Sequence, residues 1–344
     1  MNSNVKIALQ YIISLAAAIL LLWFLFQQID PREILNRVQN ANPLYIFISF
    51  ILLIISHVSR AIRWKILIDP LGYRPSVLNS FLALMSGYFL NSLVPRLGEV
   101  TRCAVLQRTE KIPVTVSFGT VITERLVDLL MLMLLFVFTF ILEFERLSDY
   151  FLGIFQEKFQ NTESAYKFVI GFVSVALLIL FSSVLIYRIW KEKLHQNKIF
   201  NKIFSFGKSI VDGMLSIRKV KARKAFVFHT IMIWAMYYFA SFVVVYSLPQ
   251  TSNLSFLAGF SILLMGSLGM TAPVQGGIGA FHYLVSGVLI LYGIAKEDGV
   301  AFAFLIHTSQ YVFTLVAGAL CFIFTFIRKG KKTDLTYEYG NQNS

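Results

Sequence analysis

Residues 87–128, GYFLNSLVPRLGEVTRCAVLQRTEKIPVTVSFGTVITERLVD, place charged and amide side chains between two segments that are otherwise as apolar as a membrane span. These side chains include Asn91, Arg96, Glu99, Arg102, Glu124, Arg125 and Asp128. An ionised side chain at the centre of a bilayer costs about 2.5–3.5 kcal/mol on insertion scales, so such residues pair with one another or line a water- or ligand-filled cavity. We therefore expect this stretch to hold the functional centre.

The composition around this stretch is that of a polytopic α-helical membrane protein. Of 344 residues, 57% are hydrophobic and 14% are charged, which excludes a soluble globular domain. Residues 5–26 can cross a hydrocarbon core of roughly 30 Å and lack an A-x-A-like cleavage site, so we expect a retained first span. The net charge of +13 favours anionic lipid as a partner over nucleic acid, which we do not expect.

The two cysteines, Cys103 and Cys321, lie in or beside apolar runs without the spacing of metal ligands. They indicate neither a disulfide framework nor a zinc site. We expect no metal and no cofactor.

Charge asymmetry between loops orients the spans. Residues 143–164 carry five acidic and two basic side chains, whereas residues 188–224 carry eleven Lys and Arg against two acids. The positive-inside rule places the second loop in the cytoplasm, which requires residues 76–110 to enter the membrane, break at Pro95 and return to the same side. By the same argument, residues 254–294 form a hairpin that enters from the outer side.

We therefore predict an all-α polytopic membrane protein with six transmembrane spans and two oppositely directed re-entrant broken hairpins. The predicted full spans are residues 5–26, 44–62, 114–142, 165–187, 225–248 and 300–327. Broken segments in both halves of a chain indicate a transporter site at the midplane of the membrane.

One flippase-like transmembrane domain is expected over residues 1–332, with a disordered cytoplasmic tail at 333–344 and both termini cytoplasmic. Residues 199–217 show an apolar stripe with lysines off it, which predicts an interfacial amphipathic helix. The alternative is a cytoplasmic helix packed on its neighbours. Anionic inner-leaflet lipids are the expected partners of the basic segment 188–224.

The second span is expected to end near Ile62, because several basic residues follow. We expect Arg60, Arg63 and Lys65 to begin a cytoplasmic loop, and Trp64 to lie at the level of the lipid headgroups.

Glu124 and Asp128 are four residues apart and share a helix face, with Arg125 about 100° around the axis. Counting about 1.5 Å per residue from the start of this helix puts them near the middle of the bilayer. Two carboxylates there need a cation or a proton. Arg96 and Arg102 are the expected partners, which leaves Arg125 for an anionic headgroup. The alternative is a closed ion-pair network that only stabilises the fold.

Backbone breakers interrupt both hairpins. They are Pro95 and Gly98 in the first hairpin, and Pro273, Gly276, Gly277 and Gly279 in the second. Half-helix ends at the first break, Pro95–Glu99, offer partial charges suited to phosphate or a coupling ion, and a tight packing turn is the alternative there. The glycine spacing does not fit the dinucleotide-binding fingerprint. His282, beside the second break, is expected to be a satisfied helix histidine rather than a titrating one.

Four motifs together resemble one family. They read Arg60-x-x-Arg63-Trp64, Gly87-x-x-x-Asn91-x-x-x-Pro95-x-x-Gly98-Glu99-x-x-Arg102, Glu124-Arg125-x-x-Asp128 and Pro273-x-x-Gly276-Gly277-x-Gly279. Over about residues 5–327, the chain is similar to the flippase-like membrane domain family related to the transmembrane half of lysylphosphatidylglycerol synthase. The resemblance implies a bacterial inner-membrane protein that moves a lipid headgroup between leaflets through a cavity built around these motifs.

Two positions depart from the family pattern. The late motif of the family commonly reads P-G-G-x-G followed by a glutamate, whereas Gln275 stands here for the proline and His282 for the glutamate. The synthase carries an aminoacyl-transferase domain after this region. Because this chain ends about 17 residues past its last predicted span, aminoacylation is not expected.

The expected function is therefore lipid transport, with an anionic phospholipid or polyprenyl phosphate as substrate. The expected cation partners of its headgroup are Arg60, Arg63, Arg96, Arg102 and Arg125. Asn91 would contact the same headgroup, Glu99, Glu124 and Asp128 would balance the charge, and Glu124, Asp128 or His282 would carry a coupling proton.

One alternative is an integral-membrane glycosyl or lipid transferase, against which the chain lacks a D-x-D motif. The other alternative is a non-transporting membrane scaffold.

Overall fold

A computed structural model of the protein describes residues 16, 19–23, 31–94, 97–144, 220–272 and 274–327, and the regular structure in these ranges is entirely helical. Four of the described helices are long and apolar enough to cross a membrane, namely Pro43–Leu71, Val114–Leu142, Arg223–Ser247 and Lys296–Ile327. The all-α prediction is thus confirmed for the described ranges. The predicted features at 165–187, 199–217 and 333–344, and most of those at 5–26 and 188–224, lie outside them.

We number the helices of the described ranges in chain order, leaving aside the short helical piece within residues 16–23. They are α1 Pro31–Gln39, α2 Pro43–Ile68, α3 Val77–Leu93, α4 Leu97–Glu110, α5 Val114–Leu142, α6 Arg223–Phe242, α7 Phe256–Thr271, α8 Ala280–Ile290 and α9 Lys296–Ile327. Short turns of 3-10 helix occupy Asp69–Leu71, Val243–Ser247 and Gln275–Gly277.

Polar side chains begin several of these helices. Asn42 accepts a hydrogen bond from the Leu44 N–H at 3.0 Å at the start of α2, and Ser76 accepts one from the Asn79 N–H at 3.1 Å at the start of α3. Each cap satisfies an N–H that has no partner within its helix, so these residues set where the helices begin.

Two pairs of short consecutive helices pack against each other. We call α3 with α4 the first hairpin, and α7 with α8 the second hairpin. Their arms have 17, 14, 16 and 11 residues, each fewer than the roughly 20 that a full span needs. Gly87 and Gly98 lie against each other near the first break, where a Cβ on Gly98 would collide with the Gly87 carbonyl oxygen. The missing side chains let the two arms cross closely.

The long helices hold the hairpins between them. Ser49 and Ser56 on α2 donate to the carbonyls of Ala240 and Ile233 on α6, at 2.7 Å and 3.3 Å. Small residues of this kind allow membrane helices to approach each other and hydrogen-bond across the contact. On the other side, α9 packs against α3 at Gly318, where a Cβ would come within 2.8 Å of the Met85 carbonyl oxygen. The resulting bundle encloses a space that both hairpins border.

Candidate functional site

Five ionised side chains from three helices meet in one buried cluster, which we call the arginine–carboxylate cluster. Glu124 Oε1 lies 3.3 Å from Arg60 Nε and 3.2 Å from Arg63 Nη2. Its Oε2 lies 2.8 Å from Arg102 Nη2, an ion pair that is not aligned as a hydrogen bond. Asp128 accepts from Arg63 Nη2 at 2.7 Å and also pairs with Arg60. Three guanidinium groups and two carboxylates leave the cluster with one net positive charge.

The helix of the second span ends later than predicted. Helix α2 continues past that point, so Arg60 and Arg63 lie within it and are 5% and 0% exposed. Trp64 is fully buried rather than at the headgroup level, since its Nε1 donates to Thr120 Oγ1 at 2.9 Å and the Arg102 guanidinium lies 4.7 Å from its ring. These cations tolerate burial because carboxylates from α5 neutralise them.

A second ion pair lies beside the cluster and borders the break of the first hairpin. Arg125 Nη2 is 2.8 Å from Glu99 Oε1, and the two side chains are 45% and 24% exposed. Asn91 donates to Glu99 Oε2 at 3.4 Å and accepts from the Gly98 N–H at 2.7 Å, so its amide joins the two arms. Sequence reasoning left Arg125 for an anionic headgroup and did not foresee that Glu99 of the same chain pairs with it. A headgroup-binding role for Arg125 stays a prediction.

A cavity of about 1010 Å³ lies where the two hairpins face each other. Of the predicted polar site residues, Arg60, Asn91, Glu99, Arg125 and Asp128 line it, whereas Arg63, Arg102, Glu124 and His282 do not. The predicted network therefore lies only partly on the cavity wall. Arg63 and Arg102 pair with Glu124 away from the cavity. Arg60 and Asp128 pair with members of this group and also line the cavity, as do Glu99 and Arg125.

The second hairpin breaks at glycines with positive φ angles. Gly276, Gly277 and Gly279 have φ of 58°, 73° and 85°, a region that other residues rarely adopt. Gly276 and Gly277 line the cavity, and the Gly276 carbonyl accepts from His307 Nε2 of α9 at 2.9 Å. Histidine and glycine together thus hold an open backbone turn at the cavity wall.

One backbone carbonyl joins the two hairpins. Ser92, in the last turn of α3, accepts hydrogen bonds from Gln275 Nε2 and from the Tyr311 hydroxyl, each at 2.8 Å. Carbonyls in the last turn of a helix lack partners within the helix, so they are free to accept such bonds. We call this contact the hairpin link. It depends on Gln275, because a proline at that position would have no side-chain amide to donate.

His282 lies outside the cavity wall and helps to begin α8. Its Nδ1 accepts from the Gly279 N–H at 3.1 Å, and its ring centroid is 4.7 Å from that of His307. Its Nε2 is buried without a hydrogen-bond partner among the described residues. A role for His282 in proton coupling stays a prediction.

Three predicted site residues, Pro95, Arg96 and Pro273, lie outside the described residues. Within the described ranges, Cys103 and Cys321 are free thiols, and no group of three or more His, Cys, Asp or Glu side chains is arranged to hold a metal ion.

Sequence reasoning missed the neutral polar wall of the cavity. Its members on α6 are Trp234, Tyr237 and Ser241, and those on α9 are His307, Gln310, Tyr311 and Thr314. Abundant aromatic residues in apolar helices suggested lipid-facing and core positions. The missed signal is their spacing of three, four and seven residues, which puts each set on one helix face.

The chain matches the family model described as the lysylphosphatidylglycerol synthase TM region over residues 11–318. It is 35% identical over 124 residues to a UPF0104 membrane protein of Methanocaldococcus jannaschii, a match that covers 34% of this chain and 37% of the relative. It is 30% identical over 105 residues to the glycosyltransferase AglD of Haloferax volcanii, covering 30% of this chain and 16% of that protein. No solved structure matches the chain significantly. The family match spans most of the chain, which therefore belongs to the lysylphosphatidylglycerol synthase transmembrane-region family.

Proposed function

We propose that the protein moves a lipid with a phosphate-bearing headgroup between the leaflets of its membrane, with the headgroup passing through the cavity between the two hairpins. In this proposal the hairpins re-enter a bacterial inner membrane from opposite faces, and both termini are cytoplasmic. The observation that carries the proposal is the cavity of about 1010 Å³, bordered by both helix breaks and by ionised side chains. Irregular backbone at membrane depth is tolerated where it lines such a space.

Arg125 is the cation proposed to bind the phosphate. Its side chain is 45% exposed, against 6% for Arg60, which also lines the cavity. Arg60 is held by Glu124, Asp128 and the Tyr237 hydroxyl, whereas one carboxylate, Glu99, pairs with Arg125.

The proposed mechanism is an exchange of anions on Arg125. An arriving phosphate replaces Glu99, whose carboxylate turns toward water, and Glu99 returns when the headgroup leaves. Exchange of one anion for another keeps the guanidinium paired throughout, which avoids leaving a charge uncompensated in a low-dielectric site. Asp128, with 16% side-chain exposure on the cavity wall, is the carboxylate better placed than buried Glu124 to exchange a coupling proton.

The test uses the purified full chain in proteoliposomes that contain phosphatidylglycerol with a fluorophore on one acyl chain. Dithionite quenching from outside measures how fast the lipid changes leaflets. We expect the wild-type protein to accelerate this movement over empty liposomes, and Arg125→Gln to slow it about tenfold or more. The control is Arg74→Gln, which removes the same charge from an exposed arginine away from the cavity, and it should keep the wild-type rate. Equal rates for both variants, or no acceleration by the wild type, would contradict the proposal.

The similarity to glycosyltransferase AglD favours a second candidate, sugar transfer to a lipid. The match covers 16% of that protein, so its activity is not carried over by the match. Incubating the purified chain with radiolabelled nucleotide sugars and membrane lipids separates the two functions. Label that enters the lipid fraction supports transfer, and lipid movement without such labelling supports transport.

A further inference from the structure

The charges of the described residues on the cavity wall cancel one another. Among the described residues that line the cavity, the charged ones are Arg60, Arg125, Glu99 and Asp128, two cations and two carboxylates that pair with each other. Each of these cations already pairs with a carboxylate, so among the described residues the wall offers phosphate no surplus of cationic charge. The balance of this wall suits a ligand with one anionic group and a larger neutral polar part.

Three polar groups beside these charges lack partners. His57 Nδ1, the Tyr88 hydroxyl and Trp234 Nε1 are buried and form no hydrogen bond with any described residue. Their side chains come from α2, α3 and α6, and all three residues line the cavity. The His57 side chain is nearly fully buried, since the residue is 6% exposed. Buried polar groups without partners are costly, so a cluster of them at a cavity indicates a ligand that supplies the missing bonds.

The same groups form an aromatic wall. The ring centroid of His57 lies 5.0 Å from that of Tyr88 and 6.4 Å from that of Tyr237, and the centroids of Trp234 and Tyr237 are 6.3 Å apart. Arg60 donates to the Tyr237 oxygen at 3.2 Å, which leaves the hydroxyl proton of Tyr237 able to donate. The wall thus combines apolar ring faces with hydrogen-bonding groups.

We propose that this cavity binds a hydroxyl-rich headgroup linked to phosphate, that is, a glycosyl or polyol phosphate carried on a lipid. The inference rests on the proposed function and names the substrate class of that site. Hydroxyl groups both donate and accept, so they satisfy the indole N–H, the phenol and the imidazole, and their donors also reach Asp128. The carbon faces of a sugar or cyclic polyol lie against the rings. A quaternary amine would use the rings but would leave all three polar groups without partners.

Binding to the purified full chain in detergent tests the proposal, with native mass spectrometry as the readout. The probes are phosphatidylinositol, a polyprenyl phosphohexose, phosphatidic acid and phosphatidylcholine. We expect the wild type to bind at least one of the first two about fivefold or more tightly than phosphatidic acid, and phosphatidylcholine more weakly still. Whichever of the first two binds more tightly identifies the source of the headgroup.

Two variants locate the site. Tyr88→Phe and Trp234→Phe remove one donor each and keep an aromatic ring, so each should weaken binding of the hydroxyl-rich lipid about three- to tenfold. Binding of phosphatidic acid should change by less than about twofold. Because neither group has a hydrogen-bond partner among the described residues, neither variant should lower the unfolding temperature much. Tyr246→Phe, at an exposed tyrosine away from the cavity, is the control and should bind as the wild type does.

Results that contradict this inference differ from those that contradict the proposed function. Equal affinities of the wild type for the hydroxyl-rich lipids and for phosphatidic acid would overturn this inference and leave the proposed function intact. Variants that weaken every lipid alike would also overturn it. Absence of binding by all three anionic lipids would contradict the proposed function itself.

Discussion

Glu124 meets three guanidinium groups, from Arg60, Arg63 and Arg102, while its own side chain is fully buried. Such a network stabilises a fold chiefly because its members neutralise one another, and removing one member leaves the others charged and buried. Asp128 shares two of these arginines but is 16% exposed and borders the cavity. Two carboxylates four residues apart therefore differ in their surroundings, since Glu124 is enclosed by arginines and Asp128 borders the cavity.

Replacing Glu124 with Gln should destabilise the protein strongly. The arginines of the cluster would lose a shared carboxylate in a buried site, which we expect to lower the free energy of unfolding by about 3–5 kcal/mol. Thermal unfolding of the purified protein in detergent measures the effect. The control is Asp69→Asn, whose pair with Lys65 is about a third exposed and should contribute less than about 1 kcal/mol. Similar unfolding temperatures for both variants would show that the cluster is not structural.

The two hairpins border the cavity together with the long helices α2, α5, α6 and α9. Close backbone contact shapes the first hairpin. Gly98, in the first turn of α4, lies against the Gly87 carbonyl and the Asn91 side chain. A Cβ on Gly98 would lie 2.6 Å from Asn91 Cγ. Asn91 also accepts from the Gly98 N–H. A side chain at position 98 would push the arms apart and move Glu99 away from Arg125.

We expect Gly98→Ala to disturb this hairpin and slow lipid movement. The added methyl group collides with backbone, which cannot move aside as a side-chain tip can, so a loss of about 1–3 kcal/mol in stability is expected. Gly119→Ala in α5 is the matched control, because nothing lies within 4 Å of a Cβ there and alanine favours a helix by up to about 1 kcal/mol. Thermal unfolding and the dithionite assay measure both variants. A Gly98→Ala protein as stable and active as Gly119→Ala would refute the close-crossing account.

The hairpin link should show strong coupling between its two donors. Gln275→Ala or Tyr311→Phe leaves the Ser92 carbonyl with one donor, and each should lower the free energy of unfolding by about 0.5–1.5 kcal/mol. The double variant leaves this carbonyl without either bond, so its loss should exceed the sum of the single losses. Unfolding measurements on all four proteins of the cycle give the coupling, and simple additivity would exclude the shared-acceptor arrangement.

At the scale of the whole molecule, local sequence signals predicted where the helices lie and break better than they predicted which side chains pair. Glycines and prolines marked both breaks, and the helix predicted over residues 114–142 has those bounds in the structure. Arg63, and Trp64 beside it, were predicted at the membrane surface, whereas both are buried. A basic residue at the end of an apolar run looks the same in the sequence whether it faces water or pairs with carboxylates more than sixty positions away, as Arg63 does. Long-range pairing of this kind is set by the packing of helices.

The cavity was harder still to predict, because its neutral wall uses residues common in any membrane helix. Tyr237 and Tyr311 belong to different helices, and only the packed bundle brings them to one space. The energetic cost of burying charge predicts that these cations and carboxylates pair as a group. Which of them also line the cavity depends on how α2, α4 and α5 pack against one another.

The most direct test of the account asks whether lipid enters the space between the hairpins. Ser267→Cys places a thiol on the cavity wall, in a protein whose Cys103 and Cys321 are replaced by alanine, and Asn253→Cys in an exposed loop serves as the control. A water-soluble maleimide should label both thiols in lipid-free micelles. We predict that anionic, hydroxyl-rich lipid slows labelling at position 267 about tenfold and leaves position 253 unchanged, and equal labelling of position 267 with and without lipid would contradict the account.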